Sequence, residues 1–594
     1  MRFRSRQAAA GRVFAVTGVN TVSFAILASN PIKQDLLGFA VERIAPATGQ
    51  SMFMPGFKVF ESLIPQPTEG LNVSTFDHPV QSLVWDDFTA DPESQYTYRF
   101  HPIKGRPGNL ERRSRPLSIK VRTEPLVTST AHDVFFNRGV ASSQFYQREF
   151  GDDPIADMEP ARRAKALAWL SRDLDEALLR FIDACRPGDR LLGCFYEFRY
   201  APVVTAFKAA LDRGVDVGLI IDAKVNESTD KDGVFHESYP REENLRLLAA
   251  SGIPDTRVKL RQARRSNIQH NKFMVRLAGG TDPVEVWTGS TNLSLGGIHG
   301  QTNVGHWLRD QQIASQFVRY WELLFDDPGG TAADSAAERI AKNKVFRSAV
   351  QDLSPAPADL RQVSEGVTVV FSPRPDTTVL DSYARLLDSA RAQACITLAF
   401  GINAVFKEVL KDNTPLNHLV FMLLEKKDAP TPDSTTPFVR LNASNNVYKA
   451  WGSFLADPVY QWARETNALQ LGLNQHVSYI HSKFMLIDPL GDDPLVVTGS
   501  ANFSGVSVKE NDENMLIIRG AARVADIYLT EFNRLFNHYY FRSITEQFRR
   551  RRATPGQASL FLAENDDWLA KYDPGTFRAK RLKLFADMSG FRTL

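Results

Sequence analysis

Gln269-His270-Asn271-Lys272-Phe273-Met274 and Ile480-His481-Ser482-Lys483-Phe484-Met485 are the two stretches that decide how this chain is read. Each runs on to a Gly-Ser-x-Asn-x-Ser segment, Gly289-Ser290-Thr291-Asn292-Leu293-Ser294 and Gly499-Ser500-Ala501-Asn502-Phe503-Ser504. A single His-x-Lys arises easily by chance. Two copies, each followed at nearly equal distance by the same polar residues, mark a duplication.

Outward from the motifs the register persists. His270 and His481 differ by 211 positions, and so do Ile313 and Val524, Ala314 and Ala525, Phe317 and Tyr528, Trp321 and Phe532, and Phe325 and Phe536. Two copies at so long a period are a domain duplication and not a solenoid. Upstream of the first motif, Leu167, Leu170, Leu174, Leu178 and Phe181 recur at helical spacing and predict an amphipathic helix over Pro160 to Ala184. Strands follow at Cys194-Phe195-Tyr196 and Val217 to Ile221, with a helix around Val203 to Leu211 between them. After a Pro-rich joint at Ser354-Pro355-Ala356-Pro357 the grammar restarts. A strand at Val367 to Phe371 leads to a helix carrying Val379, Tyr383 and Leu386, then to strands at Ile396 to Leu398 and Val420 to Leu423.

The N-terminal region alternates with period two at Val22, Phe24 and Ile26, at Leu37, Phe39 and Val41, and at Tyr96, Tyr98 and Phe100, the pattern of half-buried strands. The expected organisation is a β-rich accessory domain over 1–115, a first α/β half over 116–345 opening on a strand at Leu117 to Arg122, and a linker over 346–366. A second half over 367–545 and a basic, partly helical tail over 546–594, containing Phe548-Arg549-Arg550-Arg551-Arg552, complete it. The tail is read as a solvated extension or strap.

Composition excludes little. The 594 residues hold 71 Lys+Arg against 68 Asp+Glu, so any basic footprint must be local. Three cysteines, Cys185, Cys194 and Cys395, lie in apolar runs and read as buried free thiols, which favours a reducing compartment. The start Met1-Arg2-Phe3-Arg4 resembles a signal peptide, but Arg12, Thr17, Asn20, Thr21 and Ser23 interrupt the apolar stretch, and the expectation is a soluble cytoplasmic protein.

Residues two apart on a strand share a face, so His270 projects with Lys272 and His481 with Lys483. Two imidazoles can divide the roles of nucleophile and general acid, while two lysines and two asparagines hold negative charge on phosphoryl oxygens. Ser290 and Ser500 read equally as backbone caps. Arg261, Arg264 and Arg265 are candidates for a phosphate-attracting rim, and the run Phe195-Tyr196-Glu197-Phe198 reads as core packing before pocket lining. Gly491-Asp492-Asp493-Pro494 reads as a turn and not a metal site.

Over roughly residues 120 to 545 the chain resembles a two-motif member of the phospholipase D superfamily, whose signature is His-x-Lys-x4-Asp followed by Gly-Ser-x-Asn. The resemblance implies two pseudo-two-fold-related α/β halves with mixed sheets, here preceded by a small β-sandwich-like domain. It also implies a phosphohistidine intermediate without an obligatory metal or other cofactor. The signature acid is kept as Asp488 and replaced by Leu277 in the first copy. Seven residues past the histidine is an odd step along a strand, which assigns Asp488 a supporting role. Ungapped alignment pairs Asn303 with Glu513, each eleven residues past its motif asparagine. In similar enzymes such a residue reaches across to the opposite histidine. The expectation is therefore that Glu513 orients His270, the nucleophile, and Asn303 orients His481, the general acid and base. The expected substrate is a glycerophospholipid, met at a membrane surface by a monomer. The alternatives are a nuclease or DNA-repair phosphodiesterase, supported by a similar carboxylate and amide split in tyrosyl-DNA phosphodiesterases, and a catalytically inactive binding protein.

Overall fold

The computed structural model describes residues 1–68, 71–139, 144–230, 233–262, 268–326, 333–430, 437–452, 471–474, 477–550, 561–592 and 594. Arg264, Arg265, Arg551 and Arg552 lie outside the described residues.

Two seven-stranded sheets repeat one plan. In chain order the first holds β1 (His132–Phe136), β2 (Arg190–Phe195), β3 (Asp216–Asp222), β4 (Val258–Arg261), β5 (Lys272–Ala278), β6 (Asp282–Gly289) and β7 (Val304–Leu308), and its spatial order is β1-β7-β6-β5-β2-β3-β4. The second holds β8 (Gly366–Ser372), β9 (Gln393–Leu398), β10 (Leu419–Leu424), β11 (Val447–Trp451), β12 (Phe484–Ile487), β13 (Leu495–Gly499) and β14 (Glu513–Arg519), in the order β8-β14-β13-β12-β9-β10-β11. In each sheet three strands run parallel, β2-β3-β4 and β9-β10-β11, and the remaining pairings are antiparallel.

The central strands read as unbroken apolar runs because both faces are covered. Along β2, Leu191 and Phe195 pack into a cluster with the helices Leu174–Asp183 and Ala201–Asp212, while Leu192 and Cys194 turn to the opposite cluster. That second cluster joins the sheets. It combines Phe273 and Val275 of β5, Phe484 and Leu486 of β12, Phe317 and Trp321 of α1 (Gln311–Phe325), and Phe532 and Phe536 of α2 (Ala522–Arg550). The helix expected over 160–184 is two helices, Pro160–Ser171 and Leu174–Asp183, broken at Arg172, whose φ is 43°. A left-handed residue stops the helical ladder although the leucine spacing continues through it. Helix Ala336–Leu353 also runs into the segment expected to be linker, started by a capping box at Ser335 and Glu338.

Ahead of the halves, strands Arg2–Arg4, Gly11–Thr17, Val22–Ala28 and Val84–Asp87 form one sheet. Gly38–Ala45, Gln50–Phe53, Gln95–Arg106, Asn109–Glu111 and Leu117–Arg122 form another. Phe24 and Ile26 from the first share a core with Phe39, Val41, Tyr98, Phe100 and Val121 from the second. Leu37 precedes its strand and joins a small cluster with Ala40, Phe60 and Ile103. The strand at Leu117–Arg122 pairs along its length with Gln95–Arg106 and so lies in this N-terminal unit.

The C-terminal segment is not a solvated tail where it is described. Phe591–Arg592 pairs parallel with Arg2–Arg4, and Trp568 is 1% exposed in the N-terminal core with its indole N–H donating to Leu36 O at 2.8 Å. Trp568→Ala is expected to cost about 3–5 kcal/mol in urea unfolding, as deletions of buried large aromatics do. A free tail would leave the transition unchanged.

Candidate active site

Both motifs sit where strands open toward each other. The ladders of β5 and β12 start at Lys272 and Phe484, so the histidines lie just before the strands and not within them. Their segments are fastened across the halves instead: Gln269 bridges Asp512, and Thr302 bridges Ile480. His270 N donates to Asp512 O at 3.0 Å, and His481 N to Thr302 O at 3.3 Å. Each lysine folds back onto its own histidine, Lys272 Nζ donating to His270 O and Lys483 Nζ to His481 O.

The Nδ1 contacts cross as well. His270 Nδ1 lies 2.9 Å from both carboxylate oxygens of Glu513, and His481 Nδ1 lies 2.9 Å from Asn303 Oδ1. Asn303 Nδ2 donates to Gly297 O at 2.8 Å, which turns its oxygen toward the imidazole. Ser290 Oγ donates to Asn303 Oδ1 at 2.8 Å and accepts from Val304 N, while Ser500 Oγ accepts from Asn514 N beside Glu513. Both serines thus brace the strand that carries an orienting residue. Asn514 adds a further link across the halves, donating to Asn271 Oδ1 and accepting from Thr288.

Burial sets the charge states. It drives His270 well below the ordinary imidazole range, with Lys272 and Lys483 adding to the effect, and His481 follows through burial, Lys483, Lys272 and His270. The crossed Nδ1 contacts already bring the two motifs to one site, where both lysines act on both rings. Burial lowers Lys272 to about 8 and pushes Lys483 well below its usual value, with Lys272 the next cause. Burial lifts Glu513 to about 8 against the opposing pull of Lys272. Once Glu513 is ionised it accepts from His270 Nδ1–H and leaves Nε2 with its lone pair. Asn303 imposes the same tautomer on His481 without adding charge.

Asp488, at φ 47°, does not touch the imidazole. It accepts from Arg391 N, Ala392 N and Gln393 N and pairs with Arg361, and despite burial these donors hold it below the usual carboxylate range. Leu277 packs in the core at the matching place, and Asp189 on the neighbouring strand connection takes up a related task, accepting from Arg186 N, Gly279 N and Arg276. Arg261, expected at a rim, is fully buried and paired with Asp512 at 2.5 Å. It anchors the residue that precedes Glu513. In the aromatic run, Phe195 and Phe198 stack in the core at 5.4 Å, whereas the Tyr196 ring lies 5.0 Å from His270 and Glu197 enters the site. Among the described residues no group of three or more His, Cys, Asp or Glu is placed to hold a metal ion.

A family profile described as "Cardiolipin synthase, PLD-like domain" matches residues 178–324 and 424–536, one motif in each stretch. The two matched stretches make up a phospholipase D-like domain in two parts. No curated protein matches it. Among solved structures this chain is similar to a polyphosphate kinase from Porphyromonas gingivalis (12% identity, 59% of this chain and 46% of that chain, TM-score 0.34). It is also similar to a phosphatidylserine synthase from Haemophilus influenzae Rd KW20 (10%, 64% and 92%, 0.41) and to yeast tyrosyl-DNA phosphodiesterase (12%, 55% and 82%, 0.27). The chain spans less than half the length of the polyphosphate kinase.

Beyond the superfamily signature, sequence reasoning missed three carboxylates. Asp222, at the end of β3, accepts from Gln269 N at 2.8 Å, and burial raises it to about 7. Glu425, just past β10, accepts from Ser478 N, Tyr479 N and Ile480 N. Each therefore holds the segment leading into a motif histidine, and their matching places at the ends of parallel strands were the available signal. The third, Glu197, is taken up below.

Proposed function

We propose that this chain is a phospholipase D-like hydrolase that cleaves a phosphodiester of glycerophospholipids through a phosphohistidine. The observation that carries the chemistry is the crossed pair of Nδ1 contacts, His270 to Glu513 and His481 to Asn303. They leave two Nε2 atoms for one substrate. His270 Nε2 attacks phosphorus, a P–N bond forms, and the P–O bond to the leaving alcohol breaks as His481 gives that oxygen a proton. Burial, with Lys483 and Lys272 adding to it, otherwise keeps His481 neutral, and it carries this proton only once the anionic substrate is bound beside it. It then takes a proton from water, whose oxygen displaces His270 and restores the neutral imidazole. Lys272, Lys483, Asn292 and Asn502 hold the non-bridging oxygens, each such donor being worth about 10²–10³ in kcat.

The architecture that accompanies this reading is two halves about a pseudo-two-fold axis behind a β-sandwich. Matching strand orders and reciprocal cross-half contacts support the axis, and the shared core of the two N-terminal sheets supports the sandwich. One chain supplies both motifs, which supports a monomer; three buried free cysteines support a reducing, cytoplasmic setting.

For the substrate, Phe400 just past β9 is 70% exposed, and Leu295 and Val506, shortly past Asn292 and Asn502, are exposed too. Apolar side chains beside the catalytic segments favour a lipid over a nucleic acid. The burial of Arg261 removes one of the cations that favoured the nucleic acid. Purified protein is expected to release head group from phosphatidylcholine/phosphatidylglycerol vesicles without added metal, and to leave single- and double-stranded DNA intact. Cut DNA beside intact lipid would overturn the lipid assignment; inertness on both would overturn the hydrolase.

A further inference from the structure

Glu197 lies two residues past β2, is 5% exposed, and accepts from three side chains. Asn292 Nδ2 donates to its Oε1 at 2.7 Å, Tyr239 OH to the same oxygen at 2.9 Å, and Arg199 Nε to its Oε2 at 3.1 Å. Arg199 also pairs with Glu243 and accepts a place over the Tyr239 ring at 5.0 Å, which ties the connection after β3 to the site. A carboxylate can only accept, so Glu197 dictates which end of the Asn292 amide faces it. Its negative charge also acts on Lys272 and on Lys483.

The duplication supplies an internal control. Gly193 pairs with Met274 and Ile396 with Met485, and each methionine stands four residues past its motif histidine. Four residues further on, Glu197 therefore corresponds to Phe400, which is exposed. The second half has no carboxylate at this position.

We propose that Glu197 is a positioning residue of the first half: it fixes the Asn292 amide toward the phosphoryl oxygens and supplies the countercharge for the lysine pair before substrate arrives. This inference rests on the phosphodiesterase chemistry proposed above and not on the choice of lipid. The test uses bis(p-nitrophenyl) phosphate, which presupposes neither a membrane nor a nucleic acid. Glu197→Ala should lower kcat about 100-fold, the scale of losing one oriented oxyanion donor, with KM changed only a few-fold. Glu197→Gln keeps an acceptor for Asn292 but not the charge. It should retain kcat within several-fold while the alkaline limb of kcat/KM moves to lower pH, because the lysines lose a neighbouring anion. Full activity in Glu197→Ala, or an unmoved alkaline limb in Glu197→Gln, would overturn the inference while the hydrolase reading stands. Wild-type protein inert on this diester would take down both. Should Glu197→Ala not fold, the pH profile of Glu197→Gln decides alone.

Discussion

His481→Asn protein is expected to release one equivalent of p-nitrophenol per site from bis(p-nitrophenyl) phosphate in a rapid burst and then to stall. A phenolate of low pKa leaves without a proton, so His270 still forms its P–N bond. The second step lacks the base that activates water, and turnover should fall about 10³–10⁴-fold, the range of a lost general base. With an alkyl leaving group the burst should vanish as well, because that oxygen requires the proton. His270→Asn should show no burst with either substrate and lose at least about 10⁴-fold in kcat, since no nucleophile remains. Equal bursts in the two variants would contradict the division of roles. The division follows from the partners: a carboxylate stabilises charge developing on His270 during attack, whereas Asn303 offers His481 only a fixed tautomer.

Glu513→Gln carries the second large effect. The nucleophilic form of His270 needs Glu513 ionised, and burial holds its proton until about 8. In the wild type kcat/KM should therefore rise with pH toward about 8 and then fall as Lys272, itself lowered to about 8, gives up its proton. Glu513→Gln should lose about 10²–10⁴-fold at the optimum, the scale seen when a tautomer-fixing acid is neutralised, and should lose the rising limb. Stability should move the other way. A carboxyl whose folded pKa is raised binds its proton more tightly when folded, so its ionisation opposes the fold progressively between the unfolded value and about 8. The Tm of Glu513→Gln relative to wild type should accordingly increase from pH 5 to pH 9. A parallel loss of Tm and activity would indicate a structural role instead.

The doubled motif made much of this legible. Equal spacing of His270 and His481 from the helix residues that follow them requires two copies of one fold, and the strand orders repeat as that demands. The Asn303 and Glu513 pairing came from simple register, because a ladder keeps its count between the motif asparagine and the returning strand. Other features depend on partners far away in sequence. Arg261 beside Arg264 and Arg265 suggests a basic rim, but its partner is Asp512, brought in only by the packing of the second half. Glu197 hides in an aromatic run and has no repeat to flag it, since Phe400 stands at its place. The break at Arg172 is a backbone choice that leucine spacing does not encode. Trp568 lies in the segment read as a basic tail, and its place in the N-terminal core depends on partners more than 400 residues away in sequence.

The central claim is that a single histidine carries the phosphoryl group and that it is the one facing Glu513. Acid quench during turnover of ³²P-labelled substrate, followed by peptide mapping, tests it most directly. The account predicts label on the peptide containing His270 and none on the peptide containing His481; label on His481 with none on His270 would contradict it.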